Sequence, residues 1–310
     1  MKIVFLGNFE PVHSTESHHR KAWLKLGHEV IALQENKTTT DKVIEACKDA
    51  QLFQWTHTHG FQTSGSVLLT EMMDRIHELE VKTFSYHLDV YFGLEQWDHR
   101  DSLVGKHPSW KVQHFFSTVG SKDEEFKKRG VNHHWLPPAV DADGCYLGQR
   151  QEHLVFDVGF AGSVNYHPEY PWRKTMVEAL MKRYGTRFRV FQGVREQSLN
   201  NLYASVKVLV GDHCFAGEPM YWSDRLPETC GRGGFIVYPA TAGMTIPAAV
   251  YEPQNIDDLI SQIDYYLEHD VEREELRKHC FEWVKEHDTY THRLREILRV
   301  MECESHSACP

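Results

Sequence analysis

Trp135-Leu136-Pro137-Pro138-Ala139-Val140-Asp141 is the stretch that divides this chain. Two consecutive prolines interrupt a helix or a sheet ladder, because each lacks a backbone N–H and its ring fixes φ. The polar, glycine-containing run from Ala139 to Glu152 behind them has the composition of a connection between two bodies. The boundary is therefore placed there, with residues 1–138 forming a first lobe and residues 153–287 a second. A chain of 310 residues is too long for one core of common size, and two α/β lobes of roughly 150 residues each fit it.

Upstream of the break, strand-like and helix-like runs alternate. Strands are expected over Lys2 to Leu6, His28 to Leu33, Gln51 to Thr56, Val81 to Tyr86, Val112 to Thr118 and Val131 to Leu136. Helices are expected near Glu16 to Leu26, Asp41 to Cys47, Ser66 to Leu79 and Lys122 to Arg129. Gly27 and Gly130 stand where left-handed C-caps would close two of them. Downstream the alternation resumes, with strands Val155 to Ala161, Phe188 to Gln192, Val206 to Gly211 and Phe235 to Tyr238. Helices near Trp172 to Tyr184, Gln197 to Ala204 and Asp224 to Gly231 lie between or beside them. This order implies an α/β fold in which parallel sheets carry helices on both faces. The remainder is helical, with Asn255, Asp270 and Asp288 as expected N-caps. The last helix places Tyr290, Leu294, Ile297, Leu298 and Met301 together. It spans ~22 Å at ~1.5 Å per residue, enough to reach back to the first lobe.

Composition sets limits on function. Hydrophobic residues at 41% and charged residues at 25% are those of an ordinary globular protein. The chain opens on the strand-like run Met1-Lys2-Ile3-Val4-Phe5-Leu6-Gly7, without the layout of a signal peptide, and no apolar run approaches the ~18 residues of a membrane span. A cytoplasmic location is expected. Seven cysteines, an odd number without C-x-x-C spacing, point to free thiols rather than a disulfide framework or a zinc knuckle. A net charge of −10 disfavours broad attraction to nucleic acid or anionic membrane, though a local basic groove is compatible with it. The 21 histidines raise a metal reading, but no recognised ligand spacing joins His57-x-His59 to His18-His19 or His133-His134. No metal is expected.

One ordered series carries a family likeness. Tyr221-Trp222-Ser223-Asp224-Arg225-Leu226-Pro227-Glu228-Thr229-Cys230-Gly231-Arg232-Gly233-Gly234-Phe235 is followed by Asp258-Leu259, Tyr265-Tyr266-Leu267 and Thr289-Tyr290-Thr291-His292-Arg293. Together these resemble the group 1 glycosyltransferases, most closely their spore-maturation-protein-like branch, in the manner of retaining family 4. The likeness runs from Phe156 to Arg299 and extends more loosely to Leu26-Gly27-His28-Glu29-Val30 and to the Trp135–Asp141 stretch. It implies two facing Rossmann-like lobes, the GT-B arrangement, with the last helix (288–302) returning to an N-terminal, acceptor-side lobe. It further implies a nucleotide diphosphate sugar, most naturally a UDP-sugar, in the C-terminal lobe as co-substrate. A hexose or pentose would pass to a hydroxyl acceptor, with no cofactor and no metal.

Against that expectation the residues take candidate roles. A donor site must neutralise a diphosphate that gains charge as the glycosidic bond breaks, which suits an arginine fork beside a helix N-terminus. Ser223 and Asp224 read as N-cap residues, Pro227 fits the first turn, and Arg225 and Glu228 lie three apart on one face. The resemblance implies that Glu228 grips the donor ribose; the alternative is a surface Arg/Glu pair. By resemblance, the loop opened by Gly162 and Ser163 brings Arg173 and Lys174 to the diphosphate, unless they are solvated charges at a helix start. Asp212 follows a strand at the carboxyl edge, where open α/β sheets bind ligands, or else caps the next turn. In the first lobe His87 and Asp89 follow a strand, His87 as a sugar contact or a satisfied core histidine and Asp89 as base if the reaction inverts. Asn8, Ser14, Thr15 and Glu16 are acceptor-side or phosphate contacts.

One departure concerns stereochemistry. Retaining relatives often carry two glutamates eight positions apart, whereas Glu218 and Glu228 here are ten apart, so Glu218 takes no role by motif. Retention is still the expectation, with the leaving phosphate taking the acceptor proton. The rivals are a nucleotide-sugar epimerase on the same scaffold and a non-catalytic binding protein. A dehydrogenase is disfavoured because Gly7 opens no G-x-G-x-x-G. The acceptor has no motif; a hydroxymethylated base in viral DNA is one option, which the acidic charge disfavours.

Overall fold

The computed structural model describes residues 1–57, 65–88, 107–164, 171–215 and 217–307. The chain separates into two units, one of Met1–Pro137 with Tyr290–Pro310 and one of Pro138–Thr289.

Unit 1 is built around β1 (Lys2–Gly7), whose Ile3, Val4, Phe5 and Leu6 have no exposed surface. A strand apolar on both sides belongs inside a parallel sheet covered on both faces. It pairs in parallel with β2 (Glu29–Gln34) on one side and β3 (Leu52–Trp55) on the other. With β4 (Lys82–His87), β5 (His114–Ser117) and β6 (His133–Trp135) the order is β2-β1-β3-β4-β5-β6. Among the described residues its α-helices are α1 (Thr15–Lys25), α2 (Thr40–Cys47), α3 (Leu69–Glu78) and α4 (Asp123–Lys128). Gly27 (φ 80°) and Gly130 (φ 75°) follow α1 and α4 in the left-handed region, as their positions in the sequence require. Two boundaries differ from expectation. Ser66 gives its N–H and its hydroxyl to Asp41, each at 2.6 Å, so α3 starts only at Leu69. Pro108–Lys111 forms a 3-10 turn, which shortens the fifth strand to His114–Ser117.

Unit 2 repeats the scheme with β7 (Phe156–Ala161), β8 (Phe188–Phe191), β9 (Val206–Val210), β10 (Ile236–Pro239) and β11 (Ala249–Tyr251), in the order β11-β10-β9-β7-β8. All neighbours run parallel. Its helices are α5 (Trp172–Tyr184), α6 (Glu196–Ser205), α7 (Arg225–Gly231), α8 (Ile256–Glu268) and α9 (Asp270–His287). One core joins Val158, Phe160, Val208 and Val237 of the sheet to Met176 and Leu180 of α5 and to Leu259 and Ile263 of α8. Residues 139–152 pack onto this unit, with Gln149 and Gln151 donating backbone N–H groups to Asn201 and Ser205 at 2.8 and 2.9 Å. Asn255 caps α8 by accepting from the Asp258 N–H at 3.1 Å. Asp270 is not a cap: it is the first residue of α9, and its carboxylate pairs with Arg273 at 2.6 Å.

The last helix, α10 (Tyr290–Ser307), packs on α1 of unit 1. Tyr290, Leu294, Ile297 and Met301 form its buried face. The helix begins after Asp288, whose carboxylate accepts the Trp283 indole N–H at 3.1 Å. The Pro137 carbonyl accepts from both Tyr86 Oη (2.6 Å) and Arg293 Nε (2.8 Å), which ties β4 and α10 to the end of the first chain segment.

Candidate functional site

In unit 2 the first strand, β7, has β8 on one flank and β9 on the other. The chain therefore turns in opposite directions from neighbouring strand ends at β7 and β9, the switch point at which open parallel sheets form a crevice. Phe160-Ala161-Gly162-Ser163 closes β7, and Gly211-Asp212-His213 follows β9.

Asp212 has no exposed surface, and two guanidinium groups hold it. Arg173, the second residue of α5, donates Nε to Oδ2 at 2.8 Å and Nη1 to the Ser163 carbonyl at 3.1 Å. Arg225, the first residue of α7, donates Nη1 to Oδ1 at 3.1 Å and to the Asp212 carbonyl at 2.8 Å, and Nε to the Ala161 carbonyl at 3.2 Å. The Phe160 ring lies beneath both, 5.0 Å from the Arg225 guanidinium carbon and 5.9 Å from that of Arg173. Burial works against the charge of Arg225, but Asp212 and Asp224 outweigh it and raise its pKa. Two guanidinium groups are thus fixed on one buried carboxylate. The Nη2 group of each arginine has no hydrogen-bond partner among the described residues. Gly162 makes the approach possible: its φ is +146°, and a Cβ there would lie 2.8 Å from Arg225 Nη2.

The loop before α7 is pinned from below. Ser223 donates its N–H to the hydroxyl of Tyr238 at 2.9 Å. Asp224 stands at the N-cap position of α7, as expected, but with helical backbone angles and no side-chain cap hydrogen bond, while Ser223 lies one residue earlier with its hydroxyl 3.1 Å from the Tyr238 hydroxyl. His213 stacks on Tyr238 with ring centroids 5.5 Å apart. Burial pushes its pKa down to about 4, against the pull of Asp212, so the ring is neutral. Its Nδ1 is buried and has no hydrogen-bond partner among the described residues.

Arg225 and Glu228 do not form a surface pair, since each has partners elsewhere. Glu228 Oε2 accepts from Arg232 Nε at 2.5 Å, one turn along the chain. Arg232 also donates Nη1 to Asn200 Oδ1 at 2.7 Å. Lys174 is exposed on α5, 3.9 Å from Glu178, and makes none of the contacts that join Arg173 to Asp212. Asp212 accepts from the arginines rather than capping the next turn.

The unit 1 candidates among the described residues lie at the ends of β1 and β4 and the start of α1. Ser14 Oγ caps α1 by accepting the Ser17 N–H at 3.1 Å and donates to the Asn8 carbonyl at 2.8 Å. Asn8 Oδ1 accepts from Gln34 Nε2 at 3.0 Å. Thr15 opens α1, and buried Glu16 packs so closely on Gly7 that a Cβ there would lie 2.9 Å from its Cγ. His87 ends β4, buried, and donates Nε2–H to the His57 carbonyl at 2.8 Å. Asp89 and His59 lie outside the described residues. The sequence reading missed a second cluster at this sheet edge. Glu35, with no exposed surface, accepts from Trp55 Nε1 at 2.8 Å and from His57 Nδ1. The His57 ring stacks on His107 at 4.4 Å. Burial, then the neighbouring His57, lowers the His107 pKa to about 4, with Glu35 acting the other way. Periodicity gives no sign of a buried carboxylate just past a strand, so this cluster was not legible in advance.

Residues 152–299 match the glycosyl transferase-like family model. The arginine-clamped carboxylate lies wholly inside this glycosyl transferase-like region. No curated protein matches the chain. Among solved structures, Anabaena HepE in complex with UDP-glucose is similar, with a TM-score of 0.65 and 10% identity over 98% of this chain and 100% of that one. Sucrose-phosphate synthase from Thermosynechococcus elongatus gives 0.61 and 10% over 98% and 100%. The T4 phage protein BGT in complex with UDP-glucose gives 0.51 and 9% over 92% and 95%. The fold is thus of the two-lobed GT-B class, α/β with a parallel sheet in each unit.

Proposed function

We propose that this protein is a glycosyltransferase that moves a sugar from a UDP-sugar to a hydroxyl acceptor, with the donor held by unit 2 and the acceptor taken by unit 1. The observation that carries the reading is the Arg173–Asp212–Arg225 cluster at the switch point of the glycosyl transferase-like region. HepE is bound to UDP and to UDP-glucose in its structures, and BGT to UDP-glucose. A diphosphate leaving group gains negative charge as the glycosidic bond breaks, and donors fixed beforehand stabilise that charge without reorganising. Asp212 fixes both guanidinium groups, so that their Nη2 groups, which have no hydrogen-bond partner among the described residues, supply the donors. The protein's own cations then neutralise the phosphates, and no metal is required. Following the family likeness, the transfer retains configuration, the leaving phosphate taking the acceptor proton as the new glycosidic bond forms.

Thermal stabilisation by UDP tests the reading, because a ligand at ~100 times its dissociation constant adds about 2.7 kcal/mol. Stabilisation by UDP and UDP-sugars is expected. Correct folding with no response to any nucleotide would instead favour a non-catalytic protein. Conversion of the donor sugar without an acceptor would favour an epimerase.

A further inference from the structure

The histidine cluster at the carboxyl edge of the unit 1 sheet has no part in the donor reading. It stands beside a further switch point, where β1 has β2 on one flank and β3 on the other. Glu35 follows β2 directly, and His57 lies two residues past β3. Three distant segments hold His57. The buried Glu35 carboxylate takes its Nδ1, the His107 ring stacks on it with centroids 4.4 Å and planes 15° apart, and His87 donates to its carbonyl at 2.8 Å. The His57 side chain nonetheless keeps 30% of its surface.

The partners fix where the protons sit. An indole N–H only donates, so the Glu35 Oε1 that receives Trp55 Nε1 at 2.8 Å is an acceptor, and His57 Nδ1 donates to the same oxygen. When neutral, the His57 ring therefore carries its lone pair on Nε2. His107 is the reverse. Its Nδ1 receives the Ser109 backbone N–H at 3.2 Å and the Ser109 hydroxyl at 2.8 Å, so its proton is on Nε2. Burial first, and His57 second, lower the His107 pKa to about 4 against the pull of Glu35, which keeps this ring neutral. Neither Nε2 has a hydrogen-bond partner among the described residues. One stack thus offers an acceptor nitrogen and a donor nitrogen. Hydroxyl groups both donate and accept and match the two; an ammonium only donates and a carboxylate only accepts, so each leaves one nitrogen unmatched.

We propose that His57 and His107 are the acceptor contacts: His57 Nε2 accepts from one hydroxyl of the acceptor, His107 Nε2–H donates to another, and the acceptor is a neutral polyol such as a sugar. The inference rests on the reading of unit 1 as the acceptor side. Glu35 touches no substrate; it is the positioning residue that keeps the proton on His57 Nδ1. In the transfer the donor's bond from the anomeric carbon to the phosphate oxygen breaks and the acceptor oxygen bonds to that carbon. The acceptor proton goes to the leaving phosphate, so both imidazoles end as they began.

Proton–nitrogen correlation spectra of the imidazole rings, recorded with UDP present, test this in wild type, Glu35→Leu, His57→Phe and His107→Phe. The probes are methyl glucoside and glycerol, with methylammonium and acetate as controls. Wild type is expected to show a protonated Nδ1 on His57 and a protonated Nε2 on His107, and the glucoside should shift both Nε2 signals saturably. Loss of one hydrogen bond should weaken the glucoside roughly two- to tenfold in each phenylalanine variant, read from the remaining histidine, with UDP affinity unchanged. Glu35→Leu should let the His57 proton spread onto Nε2 and weaken the glucoside to a similar degree, whereas a merely structural Glu35 would leave the tautomer as it is. If Glu35→Leu does not fold, the phenylalanine variants decide. Wild type that binds UDP while both imidazoles stay unmoved by the polyols up to their solubility limit overturns the proposal. Controls that shift both rings as strongly, or unchanged glucoside affinity in both phenylalanine variants, overturn it too. Folded wild type that binds no UDP is a separate outcome, which removes the glycosyltransferase reading itself.

Discussion

Asp212 sits without exposed surface between two arginines, and its charge is the condition for theirs. Removing one member of a buried ion cluster leaves the others uncompensated, at a cost of about 3–5 kcal/mol. Asp212→Asn should therefore lower the unfolding free energy by about that amount in chemical denaturation; a change within about 0.5 kcal/mol, typical of surface sites, would contradict the clamp. Buried neutral imidazoles give a second prediction. His19, enclosed by Tyr86 and Tyr290, has its pKa lowered by burial to about 3, and His213 to about 4. In the unfolded chain both take up protons near pH 6.5, which stabilises the unfolded state first. Stability should accordingly be full above pH 6.5 and fall as pH drops towards 4, by about 2 kcal/mol for each of these histidines at pH 5. Denaturant midpoints at pH 7 and pH 5 measure this, and a His19→Gln variant with an unchanged slope would contradict it. These two roles differ in how visible they were beforehand. Asp212 stood out from its position after a strand, but its partner Arg173 is 39 residues away in sequence, and only the folded sheet joins them.

At the scale of elements, the turn after β7 and the helix α10 make the sharpest predictions. Gly162→Ala adds a Cβ in a backbone region that side chains rarely adopt and drives it against Arg225. A cost of about 1–3 kcal/mol is expected, with weakened UDP binding. An alanine variant with wild-type stability and affinity would show that the β7 turn does not set the arginine. Truncation after Glu286 removes Tyr290, Leu294, Ile297 and Met301 from the buried face against α1 and should impair stability and solubility. A fully stable truncated chain would contradict the assignment of α10 to unit 1. Most elements were legible because each carries its own signal: a doubly apolar run for β1, an asparagine cap for α8, glycines after α1 and α4. β11 was not, since three residues bounded by Pro247 and Pro253 are too few to show alternation. The Asp270 cap failed for a different reason: composition allows an aspartate at either the cap or the first turn, and Arg273 draws it into the helix.

For the molecule as a whole, two parallel sheets followed from the order of strands and helices, because a βα alternation admits few topologies. The site was legible only as separate candidates. Arg225, Glu228, Arg173 and Asp212 were each nominated, but the Glu228–Arg232–Asn200 chain and the Glu35–His57 pair depend on contacts between distant segments. If the protein's cations replace a metal, turnover of a UDP-sugar should be unchanged by a chelator; loss of activity restored by a divalent ion would overturn that part. The central claim is that Arg225 engages the donor diphosphate, and the most direct measurement is calorimetric titration of UDP into wild type, Arg225→Ala and Arg225→Lys. The account predicts that Arg225→Ala binds UDP at least about tenfold more weakly, with Arg225→Lys between the two because it keeps the charge and loses the fork. Folded Arg225→Ala protein that binds UDP as tightly as wild type would contradict it.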